Sequence, residues 1–184
     1  MKKKSLKQNR IFDITVMSVC TASIIISAWL TIPFFIGITL QTLAIFLVCL
    51  IFKFKISFFS ILSYILIGAL GLPVFSGFNS GIAAIVGSTG GFILSFMLFP
   101  VIFMLFGNHY RKSHMLRIIS MISCLLICYL SGTLWYCLIF CSGGLNNIWG
   151  AMTVCVFPFI IPDIIKIFLA DLIYSRLHKF NFGR

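Results

Sequence analysis

The chain has 184 residues, of which 61% are hydrophobic and 9% charged, with a mean hydropathy of +1.15. That composition excludes a soluble domain, whose water-facing surface needs roughly a quarter of its residues charged, and leaves an integral membrane protein. The formal charge of +11 does not point to nucleic acid, because all of the 14 Lys and Arg residues except Lys166 cluster at the chain ends or in two short breaks between apolar runs.

Six membrane-crossing helices are predicted, since about 20 residues cross the hydrocarbon as a helix. An all-α membrane domain is expected over 14–177, with spans near 14–35, 38–52, 56–72, 86–106, 116–140 and 162–177. A basic stretch, 1–13, precedes it and a basic tail, 178–184, follows. The first run, Ile14 to Phe35, is long for a signal-peptide core and no small-x-small cleavage site closes it, so it is expected to stay in the protein. It carries Ser18-x-x-x-Ala22 and Ser23-x-x-x-Ser27. Small residues four apart let another helix approach closely, which suits a docking face for a partner protein.

Lys53 and Lys55 mark a break so short that the second and third spans are expected to form a tight helical hairpin. The third break reads Gly71-Leu-Pro-Val-Phe-Ser-Gly-Phe-Asn-Ser-Gly81, rich in glycine and aromatics rather than charge. Irregular backbone at membrane depth persists only where protein covers it or it lines a cavity, so this loop is expected to act as a gate or lid. Arg111, Lys112 and Arg117, with His109 and His114, mark the fourth break, while the first, third and fifth breaks contain no Lys or Arg. With six spans every basic break and both termini fall on one side, which the positive-inside rule assigns to the cytoplasm.

The last apolar stretch is interrupted by Pro158 and Pro162. Proline suits the first turn of a helix, so the final span is expected to begin at Pro162, with residues 146–157 forming a separate short helix or re-entrant piece. Asp163 then falls in a buried first turn, where the helix dipole and unpaired N–H groups favour a carboxylate.

Asp163 and Lys166 are the charges that composition does not explain. Each ionisable group inside a membrane costs about 2.5–3.5 kcal/mol even on insertion scales. Three residues apart, the two share a helix face. They either neutralise each other for packing or present an acceptor and a donor to a ligand with both kinds of group. A buried ion pair is often no more stabilising than apolar replacements, which favours the ligand. Thr39, Gln41, Thr42, Asn79, Trp135 and Tyr136 are polar groups toward the same half of the membrane. Such a set amid aromatic walls makes the mostly apolar pocket that holds a small polar solute. Asp171, toward the other end of the last helix, is read as interfacial or as making a partner contact, rather than as ligand-binding.

Of the seven cysteines, Cys124/Cys128 and Cys137/Cys141 are four apart, yet no His or carboxylate stands beside them at zinc spacing. They are read as small apolar side chains, with no disulfide framework and no metal. A membrane enzyme is the competing class. It needs His or paired carboxylates within the bilayer, whereas His109, His114 and His178 fall in basic breaks and Asp163 and Asp171 lie two turns apart. No Walker motif is present, so ATP hydrolysis is not expected of this chain. A pore-forming protein would explain the hydrophobicity but not an Asp/Lys face beside a Gly-rich loop.

The motifs Thr39-Leu-Gln-Thr-Leu43, Gly68-Ala-Leu-Gly-Leu-Pro-Val-Phe-Ser-Gly77, Thr89-Gly-Gly-Phe92, Gly132-Thr-Leu-Trp135 and Pro158-Phe-Ile-Ile-Pro-Asp-Ile-Ile-Lys166 stand in one order along the chain. That series, over roughly 14–177, resembles the BioY family, the biotin-specific substrate-binding (S) components of energy-coupling factor (ECF) transporters. The resemblance implies a six-helix S-component fold in the plasma membrane, high-affinity biotin capture from outside, and inward release when the S component topples. It also implies a complex with a transmembrane coupling protein (the T component) and two ATPase subunits. Ser18, Ala22, Ser23 and Ser27 would form the docking surface. Another vitamin-like solute is the alternative ligand. Asp163, Lys166 and Asn79 would contact biotin beside Gln41, with Trp135, Phe75 and Phe78 walling its fused rings; no cofactor is implied. The sequence departs from the family pattern at Gly37, Ser88 and Pro162.

Overall fold

The computed structural model describes residues 2–32, 38–107, 109–140 and 148–179. Helix α1 (Lys2–Trp29) already begins within the basic stretch. It is followed by β1 (Thr31–Ile32) and β2 (Ile38–Thr39), a two-residue antiparallel ladder that pairs Thr31 with Thr39 and turns the chain back into the bundle. Gly37 and the rest of the first break, 33–37, lie outside the described residues, as do Cys141, most of the fifth break and the tail from 180.

Helices α2 (Gln41–Ile51) and α3 (Phe54–Ala69) form the expected tight hairpin. Its turn is held from both sides: the Phe52 N–H donates to the Val48 carbonyl (3.1 Å), and the Ser57 hydroxyl donates to the same carbonyl (3.0 Å). After the loop, with its 3₁₀ turn Ser76–Phe78, the fourth apolar run divides into α4 (Gly81–Val86), α5 (Gly90–Ser95) and α6 (Leu98–Leu105). The division follows from close packing. A Cβ on Gly90 would sit 1.7 Å from the Ile85 carbonyl oxygen, and one on Gly91 2.4 Å from the Trp135 Cβ. Then come α7 (His109–Lys112), α8 (His114–Phe140), α9 (Ile148–Cys155) and α10 (Phe157–Lys179).

The last helix starts at Phe157, not at Pro162. Two prolines four apart explain the difference. Pro158 occupies the first turn, where its missing N–H is no loss. Pro162 then deprives only the Pro158 carbonyl of a helical donor, so the helix tolerates it. Asp163 therefore sits in the second turn rather than at the helix start. The α9–α10 junction bends by 43°.

Among the described residues, Arg10–Trp29 and His114–Phe140 are long and apolar enough to cross a membrane, and Ile148–Cys155 with Phe157–Leu177 reaches that length and hydropathy only when the bent pair is taken together. Gln41–Ile51, Phe54–Ala69 and Gly90–Leu105 are shorter apolar helices. Side chains such as Leu130, Leu138, Ile161 and Phe168 point outward, as a lipid-facing surface requires. The interior holds Ile24, Phe46, Tyr64, Phe99, Met121 and Ala170, with Phe46 stacked on Phe99 at 5.5 Å. Six cysteines among the described residues, Cys20, Cys49, Cys124, Cys128, Cys137 and Cys155, are buried, and Cys20, Cys49, Cys124 and Cys128 are free thiols.

The inward stripe of α10 carries the polar chemistry. Asp163, Lys166, Ile167, Ala170, Asp171 and Tyr174 are buried at helical spacing, while Ile164, Ile165, Phe168, Leu169 and Leu172 face outward.

Candidate functional site

A cavity of about 440 Å³ opens between the start of α2, the loop after α3, α5, the far half of α8, and the α9–α10 bend. That volume lies in the range of small-molecule sites. Asp163 and Lys166, only 4% and 5% exposed, both line it. The Lys166 ammonium donates to Asp163 Oδ1 at 2.8 Å and to the Thr42 hydroxyl at 3.1 Å. Thr42 in turn lies 3.4 Å from the same carboxylate oxygen, and the Tyr129 phenol donates to the other, Oδ2, at 2.6 Å. Three helices, α2, α8 and α10, thus meet on one carboxylate. The desolvation that burial imposes is offset by an opposite charge and two hydroxyl donors. Among the described residues the lining holds no other Lys, Arg, Asp or Glu, so the site is neutral overall and polar at one end.

Gln41, 5% exposed, lines the cavity and donates from Nε2 to the Tyr64 hydroxyl at 2.9 Å. Phe75, 2% exposed, forms part of the wall. Its ring meets Tyr64 edge-on at 5.4 Å and fills a notch that only glycine leaves open, since a Cβ on Gly68 would sit 2.1 Å from the Phe75 Cζ. Asn79 lines the rim, accepts the Phe75 N–H on its backbone oxygen (3.1 Å), and donates from Nδ2 to the Ser76 carbonyl (2.8 Å). The loop is therefore folded over the cavity with one aromatic inside.

Two expected wall residues are elsewhere. Phe78 is 63% exposed and stacks on Trp29 at 5.3 Å, on the outside of the loop; the Trp29 indole N–H also holds the Pro73 carbonyl at 2.8 Å. The turn accounts for this, because Gly77 and Phe78 both adopt positive φ (68° and 60°), so the ring swings away from the Phe75 side. Trp135 is not among the lining residues. Its indole N–H donates to the Gly87 carbonyl at 3.0 Å and its Cβ abuts Gly91, so it buttresses the α4–α5 connection behind the wall. Its neighbour Tyr136 lines the cavity instead.

Sequence reasoning missed Tyr129. A tyrosine in an apolar run reads as packing, and the only signal was that a buried phenol needs a partner. Asp171, 5% exposed, makes its contacts within the protein and does not line the cavity. Arg117 Nε lies 2.6 Å from its Oδ1, His114 Nδ1 2.6 Å from its Oδ2, and the Arg117 guanidinium sits over the Tyr174 ring at 5.2 Å. Arg117, read as a flanking charge, in fact turns inward to close α8 on α10.

On α1, Ser18, Ala22 and Ser23 are exposed, but Ser27 is buried and donates to the Ile24 carbonyl at 2.8 Å. The Ser23/Ser27 row starts one residue after Ala22, which rotates it by about 100° toward the bundle. Ser18 and Ala22 lie on the outward face with Thr15 and Ile26.

The BioY family profile matches residues 1–181. The probable biotin transporter BioY of Pyrococcus horikoshii is 39% identical over 142 residues, 77% of this chain and 80% of that protein. Biotin transporter BioY2 of Lactococcus lactis is 37% identical over 71% of this chain and 72% of its own. The biotin transporter BioY of Thermotoga maritima is 33% identical over 89% of this chain and 94% of its own. The fold is similar to the crystal structure of the S-component for biotin from an ECF-type ABC transporter, with a TM-score of 0.78, 25% identity, and 94% and 93% of the two chains covered. The chain belongs to the BioY family.

Proposed function

We propose that this chain is the biotin-binding, membrane-embedded S component of an ECF-type transporter. The observation that carries the reading is the buried Asp163–Lys166 pair lining a half-open cavity, in a protein whose relatives are named biotin transporters. Biotin matches that chemistry. Its ureido ring has N–H donors for Asp163 and a carbonyl acceptor, and the apolar thioether ring fused to it suits Phe75, Phe92 and Phe96 along the wall. Lys166 donates to a ligand oxygen, while Gln41 and Asn79 lie within the lining to complete the polar set. Phe78 and Trp135 act behind the contact surface, on the loop and on the α4–α5 connection.

The two long apolar helices, the bent α9–α10 pair and the three shorter apolar helices support a reading of six crossings, with the basic breaks and both termini on the cytoplasmic side. Biotin then enters from the side of the Gly71–Gly81 loop, which serves as the lid. A T component and two ATPase subunits supply the energy. The exposed Ser18/Ala22 row of α1 offers the T component a close-approach surface, with Ser23 at its margin. The relatives are named as transporters, which sets the membrane-enzyme reading aside.

Titration of the purified protein in detergent with biotin, thiamine and riboflavin tests the ligand. Saturable binding of biotin alone, on the order of nanomolar, is the expected result. Tighter binding of either other vitamin overturns the assignment.

A further inference from the structure

A second cavity, of about 170 Å³, lies at the other end of α2 from Asp163, between the α2–α3 turn and the end of α6 with α7. It shares no lining residue with the larger one. Two cations, Lys53 and Arg111, line it. The chain has only 3 acidic residues, and of these Asp163 and Asp171 are committed to ion pairs elsewhere. The remaining one, Asp13, is on α1, which contributes nothing to the lining. Among the described residues neither Lys53 nor Arg111 is in an ion pair. Lys53 is exposed and Arg111 half-buried, so both charges stay open to an anionic group that reaches the pocket.

The arginine is already positioned for one. Its Nη2 donates to the Phe52 carbonyl at 3.2 Å and its Nε to the Tyr110 hydroxyl at 3.3 Å. The guanidinium sits over the Tyr110 ring at 5.7 Å, and that buried tyrosine is itself tied to the Cys49 carbonyl at 3.4 Å. Two of five guanidinium N–H groups are thereby used to fix the plane, leaving the rest for a bidentate acceptor such as phosphate. The surroundings select what carries that phosphate. Phe54 and Met104 line the cavity and are also 38% and 52% exposed, and Ile51 and Leu105 beside them are 37% and 78% exposed. A soluble anion gains nothing from that apolar rim, whereas a phospholipid places its glycerol and acyl chains against it while the headgroup reaches the cations.

We propose that this pocket binds the phosphate of an anionic phospholipid, with Lys53 and Arg111 as its ligands and Phe54 and Met104 as the seat of its glycerol and proximal chain. The site fixes the α2–α3 hairpin to the bilayer interface.

Native mass spectrometry of the full chain, incubated after delipidation with phosphatidylglycerol or phosphatidylcholine, tests this. Phosphatidylglycerol is expected to be retained preferentially. Retention falls about fivefold in Lys53→Gln and roughly 25-fold in Lys53→Gln/Arg111→Gln, while Lys55→Gln, exposed on the same turn but outside the pocket, stays within about twofold. Inorganic phosphate at millimolar concentration leaves the lipid bound. Equal retention of the two lipids, or a Lys55→Gln loss as large as that of Lys53→Gln, overturns the proposal. So does full displacement by inorganic phosphate, which assigns the pocket to a soluble ion. Unchanged lipid retention in the double variant together with lost binding to a coupling protein also overturns it, and assigns the cations to an acidic protein surface. Should the double variant fail to elute as a single species in size exclusion, Lys53→Gln alone decides.

Discussion

Asp163→Asn separates the two duties of the carboxylate, holding the site together and holding the ligand. In the folded protein the carboxylate receives the Lys166 ammonium at 2.8 Å and the Tyr129 phenol at 2.6 Å. The amide retains one acceptor oxygen but no charge. For the ligand, a charge-assisted hydrogen bond becomes a neutral one, a difference of about 1–2 kcal/mol. That corresponds to biotin binding weakened by roughly tenfold or somewhat more. For the protein, Lys166 is left 5% exposed without its counter-charge, and removing one partner of a buried pair destabilises by about 3–5 kcal/mol. The single variant should therefore lose both affinity and thermal stability. Asp163→Asn/Lys166→Met removes both charges; it should regain most of the stability while binding biotin no better than the single variant. Isothermal titration with biotin and thermal unfolding in the same detergent read the two quantities. Biotin affinity within twofold of the unaltered protein in a folded Asp163→Asn would refute the ligand role, and a double variant less stable than the single would refute the charge argument.

Tyr129→Phe removes one donor from Asp163 without removing charge, and should weaken biotin about three- to tenfold with little change in fold, read by the same titration. Gly68→Ala drives a methyl into the Phe75 ring, whose Cζ it would approach at 2.1 Å, so the loop must lift. Faster biotin release in a stopped-flow chase is expected, together with a loss of about 1–3 kcal/mol in stability; unaltered release would show that Phe75 does not close the cavity. Arg117→Met leaves Asp171 with His114 alone and should destabilise by about 3–5 kcal/mol, whereas Arg117→Met/Asp171→Leu should recover most of that in thermal unfolding. Ala22→Leu fills the outward face of α1 without touching the cavity. Biotin binding should be unchanged while co-purification with a coupling protein is lost; retained co-purification would move the docking surface elsewhere.

The helical runs were legible because lipid demands them: the basic breaks at Lys53 and Lys55 and at Arg111 fall where α2 ends, where α3 begins and just beyond the end of α6. The α2–α3 turn was legible from its brevity, and the shared face of Asp163 and Lys166 from their spacing. What was not legible required knowing how one helix is rotated against another. Tyr129 and Arg117 reach α10 across 34 and 54 residues, and nothing in their neighbourhoods marks them as inward. Ser27 failed by the phase of a single residue. Phe78 was misassigned because alternation along the loop is broken at two positive-φ residues, Gly77 and Phe78 itself. Pro162 reads as a helix start from its own residue type, but Pro158, four residues earlier, already fills that role.

The cancellation of Asp163 by Lys166 within one turn of α10 bears on how the protein responds to membrane voltage. Moving one elementary charge through 100 mV changes the energy by about 2.3 kcal/mol, so a hollow lined by a bare lysine would feel the field strongly on every reorientation. Here the paired charges of the site sum to zero, and on the proposed function its net charge enters only with the carboxylate that biotin brings. Of the two halves of a transport cycle, the loaded one alone is electrically marked at this site.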